Sequence, residues 1–330
     1  MSKPKVAIIF TGGTISMSID PRIGAAIPSL ENDEILSLVT NIDKYAKLDV
    51  INFSNIPGPH MTPHLMMELK EIVEAQLLRD DICGVIVTHG TDTLEETGYL
   101  LDLTINNDKP IVMVGAMRNS SELGYDGPSN LAAAVCTAIS PLSRKKGTLV
   151  VMNNEVNAAS EVTKTNTLSL NTFKSLDFGP LGIVDNDEVI FYRKVISRQH
   201  IMTNQLNTNV DLIKCVSGMN SKLIECSINT GAKGIILEAM GRGNIPPEAL
   251  KGVELAIKSN IAVVLVSRCP TGRVMDNYGY EGGGNELRKM GIIFGGDLAG
   301  QKARIKLMLA LGKTSNLDNI REIIENNQYQ

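Results

Sequence analysis

The chain has 330 residues, of which 43% are hydrophobic and 21% are charged, values typical of a globular protein large enough for two domains. The formal net charge at pH 7 is −4, and no basic run is longer than the three residues at 144–146. This charge pattern argues against nucleic-acid binding. No apolar run approaches the roughly 18 residues of a membrane span, so membrane insertion is disfavoured as well.

The amino terminus and the cysteines predict a cytoplasmic protein. The apolar run at 6–10 is too short for a secretory signal, and no small-residue cleavage site follows it. The five cysteines are scattered and odd in number. This pattern favours reduced, mostly buried thiols over a disulfide framework or a metal site.

In the first 196 residues, apolar runs alternate with segments of helical period, the pattern of a mostly parallel sheet with helices on both faces. The predicted strands lie at 6–10, 48–53, 83–88, 111–115, 148–152 and 189–195. The predicted helices lie at 32–40, 63–79, 94–105 and 127–139. The third helix carries a start signal, because Thr93 and Glu96 have the spacing of a capping box. We therefore predict a larger amino-terminal α/β domain at 1–196.

A polar stretch at 197–209, rich in asparagine and glutamine, predicts an exposed linker between two domains. Beyond it, the predicted strands lie at 210–216, 234–238, 261–266 and 291–294. The predicted helices lie at 219–229, 247–259 and 301–311. The glycine triplet at 282–284 predicts a flexible loop. The chain is thus expected to form a second, smaller α/β domain at 210–330 with its own parallel sheet.

Two threonine motifs follow predicted strands of the first domain. The segment TGGT at 11–14 comes after the first strand, and THGTDT at 88–93 ends the third. In a parallel sheet both present hydroxyl groups at the carboxyl ends of strands, where α/β folds form their ligand clefts. The glycines fit a tight turn or a phosphate cradle, but the first segment matches neither a P-loop nor a dinucleotide-binding fingerprint.

A lysine at 164 stands among threonines in the segment TKTNT at 163–167. A threonine hydroxyl becomes a good nucleophile only when a neighbouring base accepts its proton, and lysine is a base only in its neutral form. A carboxylate partner such as Asp92 favours the charged form, so these residues alone leave open which group deprotonates which. Taken singly, Lys164 is also explained as a solvated turn residue.

Six segments, in order along almost the whole chain, resemble the bacterial asparaginase/glutaminase family, the family of the L-asparaginases. They are TGGTI at 11–15, THGTDT at 88–93, MVGAMR at 113–118, DGPSNL at 126–131, TKTNT at 163–167 and QKAR at 301–304. The resemblance implies a two-step hydrolysis of a small amino-acid amide. A threonine attacks the side-chain amide, ammonia leaves, and water then releases the acid from an acyl-enzyme.

The resemblance also implies a role for each site residue. Thr14 matches the nucleophile, while Thr91, Lys164 and Asp92 match a triad-like set of hydroxyl, base and orienting carboxylate. The family also uses the Asp92 position to hold the α-amino group of the substrate. Backbone groups at Thr91 and Ala116 would face the developing oxyanion.

Members of this family are typically homotetramers, dimers of dimers, in which the smaller domain of a neighbouring subunit completes each site. Asn244 matches an asparagine contributed in that way, and Glu281 is the candidate for a glutamate with a similar part. The resemblance implies no metal and no organic cofactor. His60 and His64 have the i, i+4 spacing of a ligand pair, but Pro63 interrupts the segment and disfavours a metal site.

The chain departs from the family at two places near the nucleophile. The family carries a tyrosine in the mobile loop after the nucleophile, whereas residues 15–30 contain none. It also places a serine, usually followed by a glutamine, where this chain has Gly58 and Pro59 and where the substrate α-carboxylate is held. Gly58, matched like Gly90 to a substrate-binding position, has no hydroxyl, and Pro59 has no N–H.

The resemblance and these two departures leave three functional hypotheses open. The first is an amidohydrolase acting on L-asparagine, and the second is the same chemistry on glutamine, D-asparagine or an asparagine derivative. The third is a metabolite-binding homologue with impaired catalysis. If Tyr278 or Tyr280 fills the space of the missing loop tyrosine, that departure is a relocation of the tyrosine.

Overall fold

The structure is a computed structural model that describes residues 3–40, 42–196 and 198–326. The chain divides between Arg198 and Gln199 into two compact units, an amino-terminal unit 1 and a carboxy-terminal unit 2. Each unit has its own sheets, helices and hydrophobic core. None of the helices in the described ranges is long and apolar enough to cross a membrane.

Unit 1 is built on an eight-stranded sheet whose central strands are parallel. The strands of this unit are β1 (Lys5–Gly12), β2 (Met17–Asp20), β3 (Ala25–Pro28), β4 (Lys47–Ile56), β5 (Gly84–Thr88), β6 (Ile111–Val114), β7 (Thr148–Met152), β8 (Glu155–Ala158), β9 (Thr163–Lys164), β10 (Phe173–Lys174), β11 (Gly182–Asp185) and β12 (Glu188–Phe191). The sheet order is β12-β11-β8-β7-β6-β5-β1-β4. Pairing is parallel from β4 to β7 and antiparallel from β7 to β12. Strands β2 and β3, and strands β9 and β10, form separate two-stranded ribbons.

Helices cover the sheet of unit 1. They are α1 (Asn32–Ser37), α2 (Ile42–Tyr45), α3 (Pro63–Leu77), α4 (Leu94–Thr104) and α5 (Gly127–Ile139). Helix α3 shows how the sequence begins a helix, because the Thr62 hydroxyl accepts a hydrogen bond from the N–H of Leu65 and Pro63 supplies a preset φ. Strands β5, β6 and β7 are buried along their whole length, as parallel strands covered on both faces must be.

Unit 2 is a smaller α/β layer structure. Its parallel strands, in sheet order, are β13 (Val210–Lys214), β14 (Gly234–Ala239), β15 (Ala262–Ser267) and β16 (Ile293–Phe294). Its helices are α6 (Lys222–Asn229), α7 (Leu250–Lys258), α8 (Gly284–Met290), α9 (Gly300–Lys313) and α10 (Leu317–Glu325). The predicted class, a larger mostly parallel sheet and a smaller parallel one, is therefore confirmed.

The predicted linker at 197–209 forms no helix or strand over its described residues 198–209, and Ser197 lies outside the described residues. Ile201 is only 1% exposed. The N–H of Asn207 donates to the carbonyl of Met308 in α9 at 3.0 Å. Residues 199–209 belong to unit 2, and this stretch is therefore partly buried within that unit.

Several short elements were not predicted from the sequence. Strand β8 follows β7 through Asn153 and Asn154, both at positive φ, and β12 follows β11 through Asn186 and Asp187, also at positive φ. Such pairs favour two-residue hairpin turns, so the signal was present but the flanking strands were too short to show a period. The hairpin of β2 and β3 and the helices α8 and α10 were also missed.

The glycine triplet at 282–284, predicted to form a flexible loop, is buried. A Cβ on Gly282 would lie 2.2 Å from the carbonyl oxygen of Ile245, and one on Gly284 would lie 2.4 Å from that of Met275. The triplet therefore packs directly on neighbouring backbone, where only glycine fits. Gly284 then begins helix α8.

Candidate active site

The carboxyl ends of β1, β5 and β6 lie side by side in the sheet of unit 1. Phe10 pairs with Thr88, and Thr88 pairs with Val114. The segments that follow these strands, at 11–14 and 89–93 and 115–118, therefore leave the sheet at the same edge. Ligand clefts of parallel α/β sheets form at this edge.

Three glycines pack these segments against one another. Gly13 has a φ of +85°, and a Cβ there would lie 2.4 Å from the Cα of Gly90. A Cβ on Gly90 would in turn lie 2.5 Å from the Cα of Gly58. The backbones of Gly13 and Gly90, the residues that precede Thr14 and Thr91, are thus in direct contact. A side chain on either residue would prevent this contact. Gly13 and Gly90 thus serve this close approach, whereas Gly12 packs on the backbone of Ile56.

Thr14 begins a single 3₁₀ turn, Thr14–Ser16, directly after β1. The N–H and the hydroxyl of Ser16 both donate to the carbonyl of Gly13, each at 2.9 Å, and close the turn. Thr14 is half-buried, and its hydroxyl has no hydrogen-bond partner in the described part of the chain. That hydroxyl is therefore free to meet a ligand.

Lys164 joins two side chains of the second motif. It lies on β9, and its Nζ is 2.9 Å from Oγ1 of Thr91 and 2.7 Å from Oδ1 of Asp92. Thr91 is buried, whereas the Lys164 side chain is 18% exposed and that of Asp92 is 59% exposed. Hydroxyl, amine and carboxylate thus form one connected set, the arrangement that activates nucleophiles in acyl transfer. The exposed carboxylate can also contact a ligand.

The buried side chain of Glu95 positions Lys164 and was not predicted. Its Oε1 accepts from the hydroxyl of Thr163 at 3.1 Å and from the N–H of Lys164 at 3.2 Å. Its Oε2 is buried without a partner among the described residues. The predicted capping box pointed to the wrong interaction, because Thr93 makes no side-chain cap and its hydroxyl donates to the carbonyl of Gly58 at 2.8 Å.

His89, for which the sequence suggested no role, is fully buried within the second motif. Its Nδ1 is 2.8 Å from the carbonyl oxygen of Gly90, and its Nε2 is 2.9 Å from the hydroxyl of Thr97 on α4. Because a carbonyl only accepts, Nδ1 carries the proton and Nε2 accepts from Thr97. Burial lowers the pKa of His89 to about 4, so the neutral ring fixes the peptide between Gly90 and Thr91.

We expect His89 to make the protein less stable in acid. Its folded-state pKa lies below the ordinary value of 6.5, so the unfolded chain takes up the proton first as the pH falls. This contribution to stability is complete above pH ~6.5, is lost as the pH falls to about 4, and amounts to about 3 kcal/mol at most. Urea unfolding at neutral and acid pH measures it. His89→Gln should lose less stability between the two conditions, and an equal loss would contradict the assignment.

The loop that carries Ala116 is held by two side chains at the start of α5. The Asp126 carboxylate accepts from the N–H of Met117 at 3.0 Å and from Nδ2 of Asn130 at 2.9 Å. Among the described residues, no acceptor binds the N–H of Thr91 or of Ala116. Two such donors at one sheet edge can stabilise an oxyanion. Asp126 and Asn130, spaced i and i+4 in the DGPSNL segment, are the sequence signal that could have indicated this support of the Ala116 loop.

Asn244 and Glu281 lie in unit 2, in neighbouring segments of the chain. The N–H of Ile245 donates to the carbonyl of Gly282 at 2.9 Å and so joins the two segments. Oδ1 of Asn244 is buried with no partner among the described residues. Glu281 is exposed. The Glu281 side chain is therefore accessible to a contact outside its own segment, and the Asn244 carboxamide has a buried oxygen that no described residue satisfies.

Comparison with known proteins agrees with this geometry. The family model "Asparaginase, N-terminal" matches residues 5–197, and the "Glutaminase/Asparaginase C-terminal domain" matches residues 209–324. The L-asparaginase of Bacillus licheniformis is 37% identical over 310 residues, which cover 93% of this chain and 95% of that protein. L-asparaginase 2 of Escherichia coli strain K12 is 33% identical, with 100% of this chain and 94% of the relative covered. The chain belongs to the asparaginase family and is an asparaginase-type amidohydrolase.

Proposed function

We propose that this amidohydrolase converts L-asparagine and water to L-aspartate and ammonia through an acyl-enzyme on Thr14. Oγ1 of Thr14 attacks the side-chain amide carbon, its proton passes to the departing nitrogen, and ammonia leaves. Water then attacks the ester, which returns a proton to Thr14 and releases the acid. The proposal is carried by the connected set of Thr91, Lys164 and Asp92 at the sheet edge that holds the free Thr14 hydroxyl.

Each member of the set has a proposed part in these steps. Thr91 and Lys164 move the proton between the nucleophile and the leaving group, and Asp92 orients the amine. The exposed carboxylate of Asp92 also binds the α-ammonium group of the substrate. The N–H groups of Thr91 and Ala116 stabilise the oxyanion, each by about 3 kcal/mol.

Ammonia release from a panel of amides tests the proposal. The panel contains L-asparagine, L-glutamine, D-asparagine and asparagine derivatives altered at the α-carboxylate. The highest kcat/KM is expected for L-asparagine. If folded protein turns over none of the amides, the chain is a metabolite-binding homologue with impaired catalysis and the proposal fails.

The turn Gly58–His60 favours a second candidate, the same chemistry on a different amide. Gly58 has no hydroxyl, Pro59 has no N–H, and the N–H of His60 is used by the carbonyl of Pro57 at 3.0 Å. This turn therefore offers few donors to an α-carboxylate. An asparagine derivative that lacks a free α-carboxylate, or that carries it elsewhere, would therefore lose little binding free energy at this turn. A higher kcat/KM for such a derivative than for L-asparagine would support this candidate.

We expect Gly58→Ser to lower the KM for L-asparagine about tenfold, the value of one hydrogen bond to a charged group. A Cβ on Gly58 would lie 3.3 Å from the nearest backbone atoms of Gly90, which a small shift accommodates. Gly58→Ala is the matched control, because it adds the Cβ without the hydroxyl and should not lower KM. Equal KM values for the two variants would show that Gly58 does not face the carboxylate.

The oligomeric state and the cellular location are also proposals, drawn from the sequence and its resemblance to the family. We propose a homotetramer in which Asn244 and Glu281 of one subunit complete the site of its neighbour. The unmet hydrogen bond at Oδ1 of Asn244 and the exposure of Glu281, both among the described residues, support this part. A cytoplasmic location stays a prediction, because a relative from Haemophilus influenzae, 35% identical over 98% of this chain and 93% of its own, has the name "Probable L-asparaginase periplasmic".

A further inference from the structure

The hairpin of β2 and β3, residues 17–28, follows Thr14 almost directly and is held by a second segment. We name this segment, residues 119–125, the strap. The N–H and the hydroxyl of Ser120 both donate to the carbonyl of Met17, at 3.0 and 2.9 Å. The N–H of Ile19 donates to the hydroxyl of Ser121 at 3.0 Å. The hairpin is thus bonded to the strap along its first strand.

Tyr125, at the end of the strap, reaches still closer to the nucleophile. Its hydroxyl donates to the carbonyl of Ile15, the residue after Thr14, at 2.6 Å. Its ring packs on Gly127, where a Cβ would lie 2.4 Å from the ring atoms. Burial raises the pKa of Tyr125, so the hydroxyl stays a donor across the physiological range.

These contacts hold Thr14 from both sides. The preceding residue, Gly13, is fixed against Gly90, and the carbonyl of the following residue, Ile15, is fixed by Tyr125. The strap is itself fixed, because Asn119 donates twice to the Glu122 carboxylate at 2.8 Å.

The far end of the strap leads to the loop that carries Ala116. Asp126, the next residue, accepts from the N–H of Met117 in that loop. A connected path of covalent and hydrogen bonds therefore runs from the Ala116 loop through the strap to the carbonyl of Ile15, the residue after Thr14. The hairpin contains no tyrosine, and Tyr278 and Tyr280 pack against each other in unit 2 with ring centroids 5.5 Å apart.

We propose that Tyr125 is a positioning residue that holds Thr14 and the hairpin in the reactive arrangement before substrate binds. A nucleophile placed in advance reacts without waiting for a loop to close over the substrate. The inference rests on the proposed role of Thr14. It assigns to the strap a part in catalysis, and the hairpin itself contains no tyrosine.

Tyr125→Phe tests the inference, because it removes the hydroxyl and keeps the ring. We expect kcat for the best amide of the panel to fall about tenfold while KM changes less than about threefold. Tyr45→Phe is the matched control, since Tyr45 also donates its hydroxyl to a partner in unit 1, the carboxylate of Asp187. That variant should lose a similar hydrogen bond and keep its kcat.

Limited trypsin cleavage after Arg22 gives a second readout that does not depend on activity. Arg22 lies in the turn of the hairpin, and its side chain is 86% exposed. Cleavage should be about tenfold faster in Tyr125→Phe than in the wild type or in Tyr45→Phe, because local opening governs proteolysis.

The two readouts separate the possible outcomes. A lower kcat together with faster cleavage supports the inference. An unchanged kcat, with or without faster cleavage, overturns it, because Thr14 would then be positioned without Tyr125. A lower kcat with unchanged cleavage overturns the part assigned to the hairpin. A folded wild-type protein that hydrolyses no amide refutes the proposed function itself, and the role of Tyr125 falls with it.

Discussion

Thr14→Ala is expected to lower kcat for the preferred amide by ~10³- to 10⁴-fold, because it removes the acyl acceptor and leaves only the oxyanion donors and substrate binding. Thr14→Ser keeps a hydroxyl and should retain measurable turnover. Steady-state ammonia release measures both effects. Mass spectrometry of acid-quenched enzyme should detect an acylated peptide that contains Thr14 in the wild type and none in Thr14→Ala.

The neighbouring threonine of the same motif provides the control. Thr11 is buried, and its hydroxyl donates to the carbonyl of Thr88 at 2.8 Å. Thr11→Val should therefore lower the melting temperature, because it removes a buried hydrogen bond between two strand ends. The variant should keep kcat within about twofold of the wild type, because the Thr11 hydroxyl is used within the fold. Thr14→Ala removes no hydrogen bond within the described residues and should melt near the wild type. Full turnover by Thr14→Ala would exclude Thr14 as the nucleophile.

Lys164→Met should have the next largest effect, a fall in kcat of ~10³-fold, as expected when one member of a catalytic set is lost. The variant leaves Oγ1 of Thr91 and the carboxylate of Asp92 without the amine that now lies 2.9 and 2.7 Å away. Methionine keeps an unbranched side chain only one atom shorter, and the pairing of β9 with β10 is between backbones, so this ribbon should still form.

Lys174→Met is the matched control for Lys164. Lys174 lies on β10, pairs across the ribbon with Thr163, and has its own carboxylate partner, Glu155, at 2.7 Å. Removing that partly buried ion pair should lower stability without a large change in kcat. Similar losses of kcat in the two variants would mean that the ribbon, and not the amine of Lys164, supports the reaction.

The sequence predicted the parts of the site that depend on local pattern. Predicted strands end at Phe10 and Thr88, and the threonine motifs at these two strand ends are adjacent at one edge of the sheet. The fold class was predicted for the same reason, because strand and helix periods repeat along the chain. The identity of Lys164 as a partner of Thr91 came only from the resemblance to a family.

Other residues of the site escaped prediction because their partners are distant in sequence. The buried carboxylate of Glu95 lies in an ordinary helix start, and nothing in its neighbourhood points to β9. Tyr125 lies in a polar turn, where an exposed side chain is the usual outcome. The glycine triplet at 282–284 suggested a flexible loop. In the structure these glycines pack on backbone from other segments, a contact that no local sequence pattern reveals.

The sequence by itself determined the α/β class, the strand ends at which the two threonine motifs lie, and the family. Only the tertiary structure decided which side chains meet. Thr91 and Lys164 are 73 residues apart in sequence, and Ile15 and Tyr125 are 110 apart. Periodicity reports the environment of each residue along its own strand or helix, but such contacts depend on how strand order and loop packing bring separate segments together.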